Sequence, residues 1–412
     1  MSDWLTSPLK DLVTFQKGKK VEVFDAPVEG GLAYIGASSL EGGQADLFSL
    51  TSHSVVSQDT DVLMLWDGER SGLVGTGLSG VVGSTVSRLR PTEAVDHKFL
   101  YFKLANGFSW IQQNRTGTGV PHVPKDLGKI FAVSYPHDLI EQRKIAIILS
   151  TVDNLIEKTQ ALIDKYQSIK QGMMYDLFTR GVDENGQLRS SCEEAPHLYK
   201  ESELGWIPKE WECSRVGKYL KSINQGWSPN CDSDAADQDE WGVLKTTAVT
   251  WNGYSDVENK VLPSSLKPKP EHEVSVGDVL VTRAGPNSRV GVVAYVYQTR
   301  PMLMLSDKLY RLVSNGDLNG EFLSLALSSS GSQNDLSSKK TGLAESQTNI
   351  SQGIVKDILI PIPSSSEQAL IADILRRKSL LIEAEIKSLK KLNTLKAGLM
   401  QDLLTGKVRV GI

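Results

Sequence analysis

Two sets of glycine-rich turns in this chain carry side chains suited to paired hydrogen bonding. Residues 65–72 read LWDGERSG and set Trp66 and Arg70 around a turn, and residues 115–125, RTGTGVPHVPK, offer His122 and Lys125. Later, QGWSPN carries Gln225 and Trp227, TRAGPNSRVG carries Arg283, Asn287 and Arg289, and Lys308 and Asn349 follow. Arg, Lys, Asn and Gln are the types whose donors and acceptors match base edges in the major groove of duplex DNA. Lys10, Lys19 and Lys20 suit phosphate contacts, which position a protein on DNA without specifying sequence. Taken singly, each is an ordinary solvated surface residue, so their arrangement has to carry the case.

Signatures of catalysis are missing. A GxGxxG occurs at Gly75, Gly77 and Gly80, but VVGSTVSRL follows it and reads as a strand, whereas a dinucleotide site needs a helix there. Gly128-Lys129, Gly217-Lys218 and Gly406-Lys407 are each followed by the wrong residue for a P-loop, and no HExxH, GxSxG or EF-hand loop occurs. The six histidines have no ligand spacing, so no catalytic residue and no metal site is expected. Three cysteines, Cys192, Cys213 and Cys231, form neither a disulfide framework nor a CxxC pair. A start reading MSDWLTSPLKDL lacks the features of a signal peptide, and no stretch is apolar enough to span a bilayer, so a cytoplasmic, membrane-free protein is expected.

Charge weighs against a simple polycationic binder. The chain carries 45 Lys/Arg and 49 Asp/Glu, a formal net charge of −4. Residues 1–140 hold 12 basic and 15 acidic side chains, and residues 183–366 hold 18 and 24. A DNA-binding role therefore needs a local basic face, or partners that neutralise much of the phosphate.

The elements that position these loops come from a duplication. Residues 141–182 and 367–408 align without a gap, with 17 of 42 positions identical, including Glu141/Glu367, Gln142/Gln368, Gly172/Gly398 and Asp176/Asp402. The copy reaches into the globular regions: Trp4 matches Trp211, and Asp61-Val62-Leu63 matches Asp278-Val279-Leu280. Between these anchors, short aliphatic runs bounded by Gly, Pro, Asn and Asp read as strands and turns. The expected plan has β-rich domains at 1–140 and 210–366, long helices at 141–182 and 367–412, and a polar linker at 183–209.

In the first helix Ile145, Leu149, Val152, Ile156, Ile163 and Tyr166 follow heptad spacing; in the second, Ile371, Leu375, Ile382, Leu389, Leu392 and Leu399 do the same. About 38 helical residues at ~1.5 Å each make a rod of roughly 55–60 Å. Each helix is the natural partner of the other, because duplication supplies a matched surface at high effective concentration. The expected fold is α+β: two β-rich domains separated by an intramolecular antiparallel coiled coil, with pseudo-two-fold symmetry. Polar positions in the stripe, Thr159/Glu385 and Lys170/Lys396, are expected to fix its register.

Together these features resemble the specificity subunit of type I restriction–modification enzymes over essentially the full length. The carriers are the duplicated plan, the Pro-rich strand ends leading into Glu-Gln helix starts, and the segments GWIPKEWECSRVGKYLKSINQGWSP, WGVLKTTAV, GDVLVTRAGPNSRVGVV and DLLTGKVRV. The resemblance implies that each globular region reads one half of a bipartite, asymmetric DNA target, with no catalysis and no cofactor in this chain. It implies that the helices set the spacer and dock two methyltransferase subunits, which use S-adenosylmethionine to methylate a flipped adenine in each half. Restriction/translocase subunits would join where a nuclease exists. Half-sites one helical turn apart, roughly 34–36 Å, are compatible with such a rod. The rival readings are a coiled-coil adapter without DNA specificity and a standalone DNA-binding regulator.

Overall fold

The computed structural model describes residues 4–42, 46–117, 119–342 and 346–411. It divides into two units: residues 1–161 with 386–412, and residues 162–385. Two continuous helices, Leu139–Thr179 and Ser365–Leu403, give one half each to each unit.

The first unit begins with strand Trp4–Pro8 paired antiparallel to Ala132–Pro136, which joins the chain start to the strand preceding the central helix. Its main sheet has four antiparallel strands in the order Val13–Lys17, Val86–Pro91, Val62–Leu65, Val74–Thr76. Every residue of Val62–Leu65 is buried, as a strand covered on both faces requires. A second sheet holds Phe48–Leu50, Gly31–Ile35, Gly80–Val82 and Val56–Ser57, with Gly31–Ile35 and Gly80–Val82 parallel. The GxGxxG segment thus joins two strands, and Gly77 is a turn residue. Helix His97–Asn106 is capped by Asp96, whose carboxylate accepts from the Lys98 and Phe99 amides.

The second unit repeats this order. Strand Glu212–Arg215 pairs with Leu359–Ile362. Four strands follow in the order Leu220–Gln225, Leu309–Ser314, Val279–Thr282, Val293–Tyr295. A smaller sheet again contains one parallel pair, Gly242–Leu244 with Leu303–Met304. Asn319 caps helix Gly320–Ser328 where Asp96 caps its counterpart. The segment expected as a linker, 183–209, holds a hairpin of Tyr199–Ser202 and Gly205–Pro208, with Ile207 buried.

Each core joins the helices to its own sheets. Ile145, Leu149, Leu403 and Leu404 pack with Leu9, Phe99, Leu100 and Val133 in the first unit. In the second, Leu177, Phe178, Ile371 and Leu375 pack with Trp211, Val279, Phe322 and Leu323. Within each unit the helix halves run antiparallel: Asp153 meets Lys396 at 2.6 Å in the first, and the Lys378 ammonium lies 5.2 Å from the Tyr166 ring centre in the second. Ile145, Leu149, Val152, Ile163, Ile371, Leu375 and Ile382 are buried, whereas Ile156, Tyr166, Leu389, Leu392 and Leu399 are half-buried. Burial beneath the stripe pushes the Lys170 ammonium pKa down, partly countered by Glu383.

The Glu-Gln pair at each helix start has a defined role. Gln142 accepts from the Asp96 amide and donates to the Pro136 carbonyl; Gln368 accepts from the Asn319 amide and donates to the Pro363 carbonyl. Glu141 accepts two hydrogen bonds from Arg409, at 2.6 and 2.7 Å. Glu367 accepts from Arg189, from the Val182 amide and from the Trp211 indole. Gly181, with φ +65°, makes room for that carboxylate, since a Cβ there would fall 2.2 Å from Glu367 Oε1.

Candidate nucleic-acid interface

The polar loops singled out from the sequence emerge at one corresponding edge of each main sheet. In the first unit the Trp66 amide donates to the Thr85 carbonyl, and the Val123 amide donates to the Trp66 carbonyl. In the second, the Arg283 amide donates to the Lys308 carbonyl, and the Ile350 amide to the Arg283 carbonyl. Trp66 and Arg283 therefore occupy the same position, as do Thr85 and Lys308. The loop after each is closed alike: Gly72 donates to Leu65 and Gly291 to Thr282, both glycines having the positive φ that a side chain resists.

A second loop joins each edge. Thr116 and His122 exchange both backbone hydrogen bonds, and so do Thr341 and Asn349. His122 also bridges to Asp67, and Asn349 to Ala284. His122 and Asn349 thus stand at equivalent places. Thr118 and residues 343–345 of these loops lie outside the described residues.

A buried frame repeated in both units supports the edge. Arg88 donates to the Val56 carbonyl at 2.6 Å and Arg311 to the Glu273 carbonyl at 2.7 Å. Arg88 lies 4.0 Å from Asp61, and Arg311 lies 3.4 Å from Asp278. Asp61 accepts from the Gln58 amide as Asp278 does from the Ser275 amide. Burial raises the Asp61 pKa, but hydrogen bonds from Arg90 and Gln58, with the charges of Arg90 and Arg88, hold it below the usual carboxylate value.

The expected side chains differ in what they leave unspent. Lys19 donates to the His53 carbonyl, Lys20 and Lys125 are exposed, and Arg70 pairs with Glu41 at 2.9 Å on the surface. Trp66 is half-buried edge-on to Phe15, and Trp227 stacks under the Lys269 ammonium at 4.3 Å. Gln225, Asn287 and Lys308 are exposed. Arg283 lies over Tyr310 and donates to the Asp307 carbonyl. Arg289 donates to the carbonyls of Thr246 and Val249, so its guanidinium holds loops together. Two residues at the edge escaped the sequence reading: Lys17 and Asp67, joined at 2.9 Å, with Asp67 also 2.7 Å from His122 Nδ1. The only sequence signal for them was their adjacency to Gly18 and Trp66.

Among the described residues no group of acidic, His and Cys side chains could hold a metal ion, and no helix is long and apolar enough to cross a membrane.

Comparison with known proteins accords with this duplicated design. The family model described as type I restriction modification DNA specificity domain matches residues 1–166 and again 208–396. A type I restriction enzyme specificity subunit of Methanocaldococcus jannaschii, MjaVIII, is 29% identical over 99% of this chain and 93% of its own length. The EcoEI specificity subunit of Escherichia coli is 44% identical over 39% of this chain and 28% of its own. The crystal structure of a type I restriction–modification S subunit from M. genitalium shares the fold, with a TM-score of 0.64 at 16% identity, covering 97% of this chain and 96% of that one. The chain belongs to the family of type I restriction–modification DNA specificity subunits.

Proposed function

We propose that this chain is the non-catalytic subunit that gives a type I restriction–modification complex its DNA sequence, with residues 1–140 and 210–366 each reading one half of a bipartite target. The carrying observation is the edge built twice from equivalent backbone bonds and furnished with different side chains: Trp66 against Arg283, Thr85 against Lys308, His122 against Asn349. A shared frame with altered contact residues is what an asymmetric target demands, since identical edges would read identical half-sites. The helices 141–182 and 367–412 act as spacer, and 183–209 leads into the second domain.

Two methyltransferase subunits dock on the helices and methylate adenine, drawing on S-adenosylmethionine held in their own chains. Apolar residues left exposed along the helices support this: Ile147, Leu155 and Leu395 in the first unit, Leu380 and Leu381 in the second. Partner subunits also supply the basic surface that a chain of net charge −4 lacks. Nuclease/translocase subunits complete the complex where they are encoded, and the work is cytoplasmic.

The test is to express the chain with the methyltransferase encoded beside it in a host lacking modification, then map methyladenine by single-molecule sequencing. One new split motif, absent when this chain is omitted, is the expected result. A soluble complex that leaves no new mark would replace this reading with that of a coiled-coil adapter.

A further inference from the structure

We propose that His122 determines one base of the first half-site, and that its Nε2 accepts a hydrogen bond from an exocyclic amino group, adenine N6 or cytosine N4. The inference rests on the DNA-specificity reading above and adds to it a residue and a hydrogen-bond polarity.

The polarity follows from what holds the ring. His122 Nδ1 lies 2.7 Å from Asp67 Oδ1. A carboxylate oxygen can only accept, so Nδ1 carries the proton, and the Nδ1–H tautomer keeps its lone pair on Nε2. The other oxygen of Asp67 binds the Lys17 ammonium at 2.9 Å. Among the described residues Nε2 has no partner.

The placement fits a reader better than a structural histidine. Asp67 is the more buried member, with 19% of its side chain exposed against 44% for His122. Lys17 already neutralises it, so the ring is not needed to satisfy the carboxylate. The backbone is fixed on both sides: His122 and Thr116 exchange amide bonds, Val123 donates to Trp66, and Gly68 donates to Pro121. A contact held this firmly loses little freedom on meeting a base.

The second domain shows the opposite polarity at the same place. Asn349 Oδ1 accepts from the Thr341 hydroxyl at 2.9 Å, and its amide NH2 is the group without a partner among the described residues. Ala284 stands where Asp67 stands, so the Lys17–Asp67–His122 relay belongs to the first domain alone. An outward acceptor in one domain and an outward donor in the other call for different bases at that position of the two half-sites.

The experiment uses the chain in complex with its methyltransferase and measures methylation rates on duplexes that vary one base pair at a time. His122→Ala should reduce preference at one base pair of one half-site by roughly 10- to 100-fold, the worth of one good base contact, and leave the other half-site unchanged. Asp67→Asn gives a sharper readout. An amide donating to Nδ1 moves the proton to Nε2, so preference at that same base pair should shift from adenine or cytosine to guanine or thymine. His122→Asn combined with Asp67→Ala, which copies the second domain, should shift it likewise. Unaltered selectivity in His122→Ala, or equal weakening on every duplex as a phosphate contact would give, overturns the proposal. Failure of both His122 variants to assemble overturns it too, by making the residue structural. If the parental complex discriminates among no duplexes, it is the DNA-specificity reading itself that falls.

Discussion

Replacing Glu367 with Gln should destabilise the second unit far more than Glu141→Gln destabilises the first, although the two glutamates are copies of one position. The Glu367 carboxylate receives four donors: the Val182 amide at 2.9 Å, Arg189 Nη1 at 2.5 Å and Nη2 at 3.1 Å, and the Trp211 indole at 2.9 Å. Its side chain is 8% exposed and that of Arg189 only 17%. Removing one charge of a buried pair typically costs ~3–5 kcal/mol, because the other charge is left without its partner. Arg189 retains some access to water, which sets the expectation at about 3 kcal/mol. Arg409, the partner of Glu141, is 43% exposed and rehydrates when the carboxylate goes, so the pair counts as a surface one at about 1 kcal/mol. At ~2–4 °C per kcal/mol for units of this size, calorimetry should show the second unit melting about 6–12 °C lower and the first about 2–4 °C lower. Where the transitions overlap, hydrogen exchange at the Val182 amide reports the second unit alone. Adding Arg189→Met to the Glu367→Gln chain should recover much of the loss, since no charge is then stranded and the amide oxygen still accepts a hydrogen bond from Val182 or Trp211. Equal shifts in the two single variants would refute the reasoning, because they would mean that burial of the arginine partner does not set the cost.

Burial pushes the Lys103 ammonium pKa down to about 8. The unfolded chain binds that proton more tightly, so stability of the first unit should rise between about pH 8 and 10.5, and Lys103→Met should flatten the rise in denaturant titrations. Lys396→Glu should weaken the helix pairing through repulsion from Asp153, and Asp153→Lys in the same chain should restore it; a double-mutant cycle without coupling would exclude that ion pair as a register device. Lys19→Ala with Lys20→Ala should weaken DNA binding by the assembled complex evenly across sequences. The slope of log affinity against log salt should become shallower by about 1.8, as two lost phosphate contacts require.

The helices were legible because a heptad pattern survives at one fixed offset of 226 from Glu141/Glu367 to Val182/Val408. The domains were legible as β-rich copies from sparse landmarks such as Trp4/Trp211. Their shared edge was not, because the offset drifts from 207 at Trp4/Trp211 to 217 at Asp61/Asp278 and 227 at His122/Asn349 as loops lengthen. Only the backbone bonds restore that correspondence. Residue type also says little about engagement within loops: Arg289 Nη2 donates to the Thr246 and Val249 carbonyls, which the sequence does not reveal. Asp67 is a related case: its residue type gives no hint that it holds the His122 ring, which the structure shows. The polar segment 183–209 read as a linker because its few apolar residues, Ile207 among them, show no period.

The division of the chain also sets an order of construction. The second unit is one unbroken stretch, Leu162–Glu385, and can finish as soon as that stretch has been synthesised. The first unit, although it is made first, must wait: Leu403 and Leu404 fill its core, and Arg409 neutralises Glu141 beneath it. At about 5–20 residues per second, the 250 residues between Ala161 and Gly411 take roughly 12–50 s, during which Ile145 and Leu149 lack their covering. A chain cut after Glu385 should accordingly keep a protease-resistant second unit beside a first one that is digested.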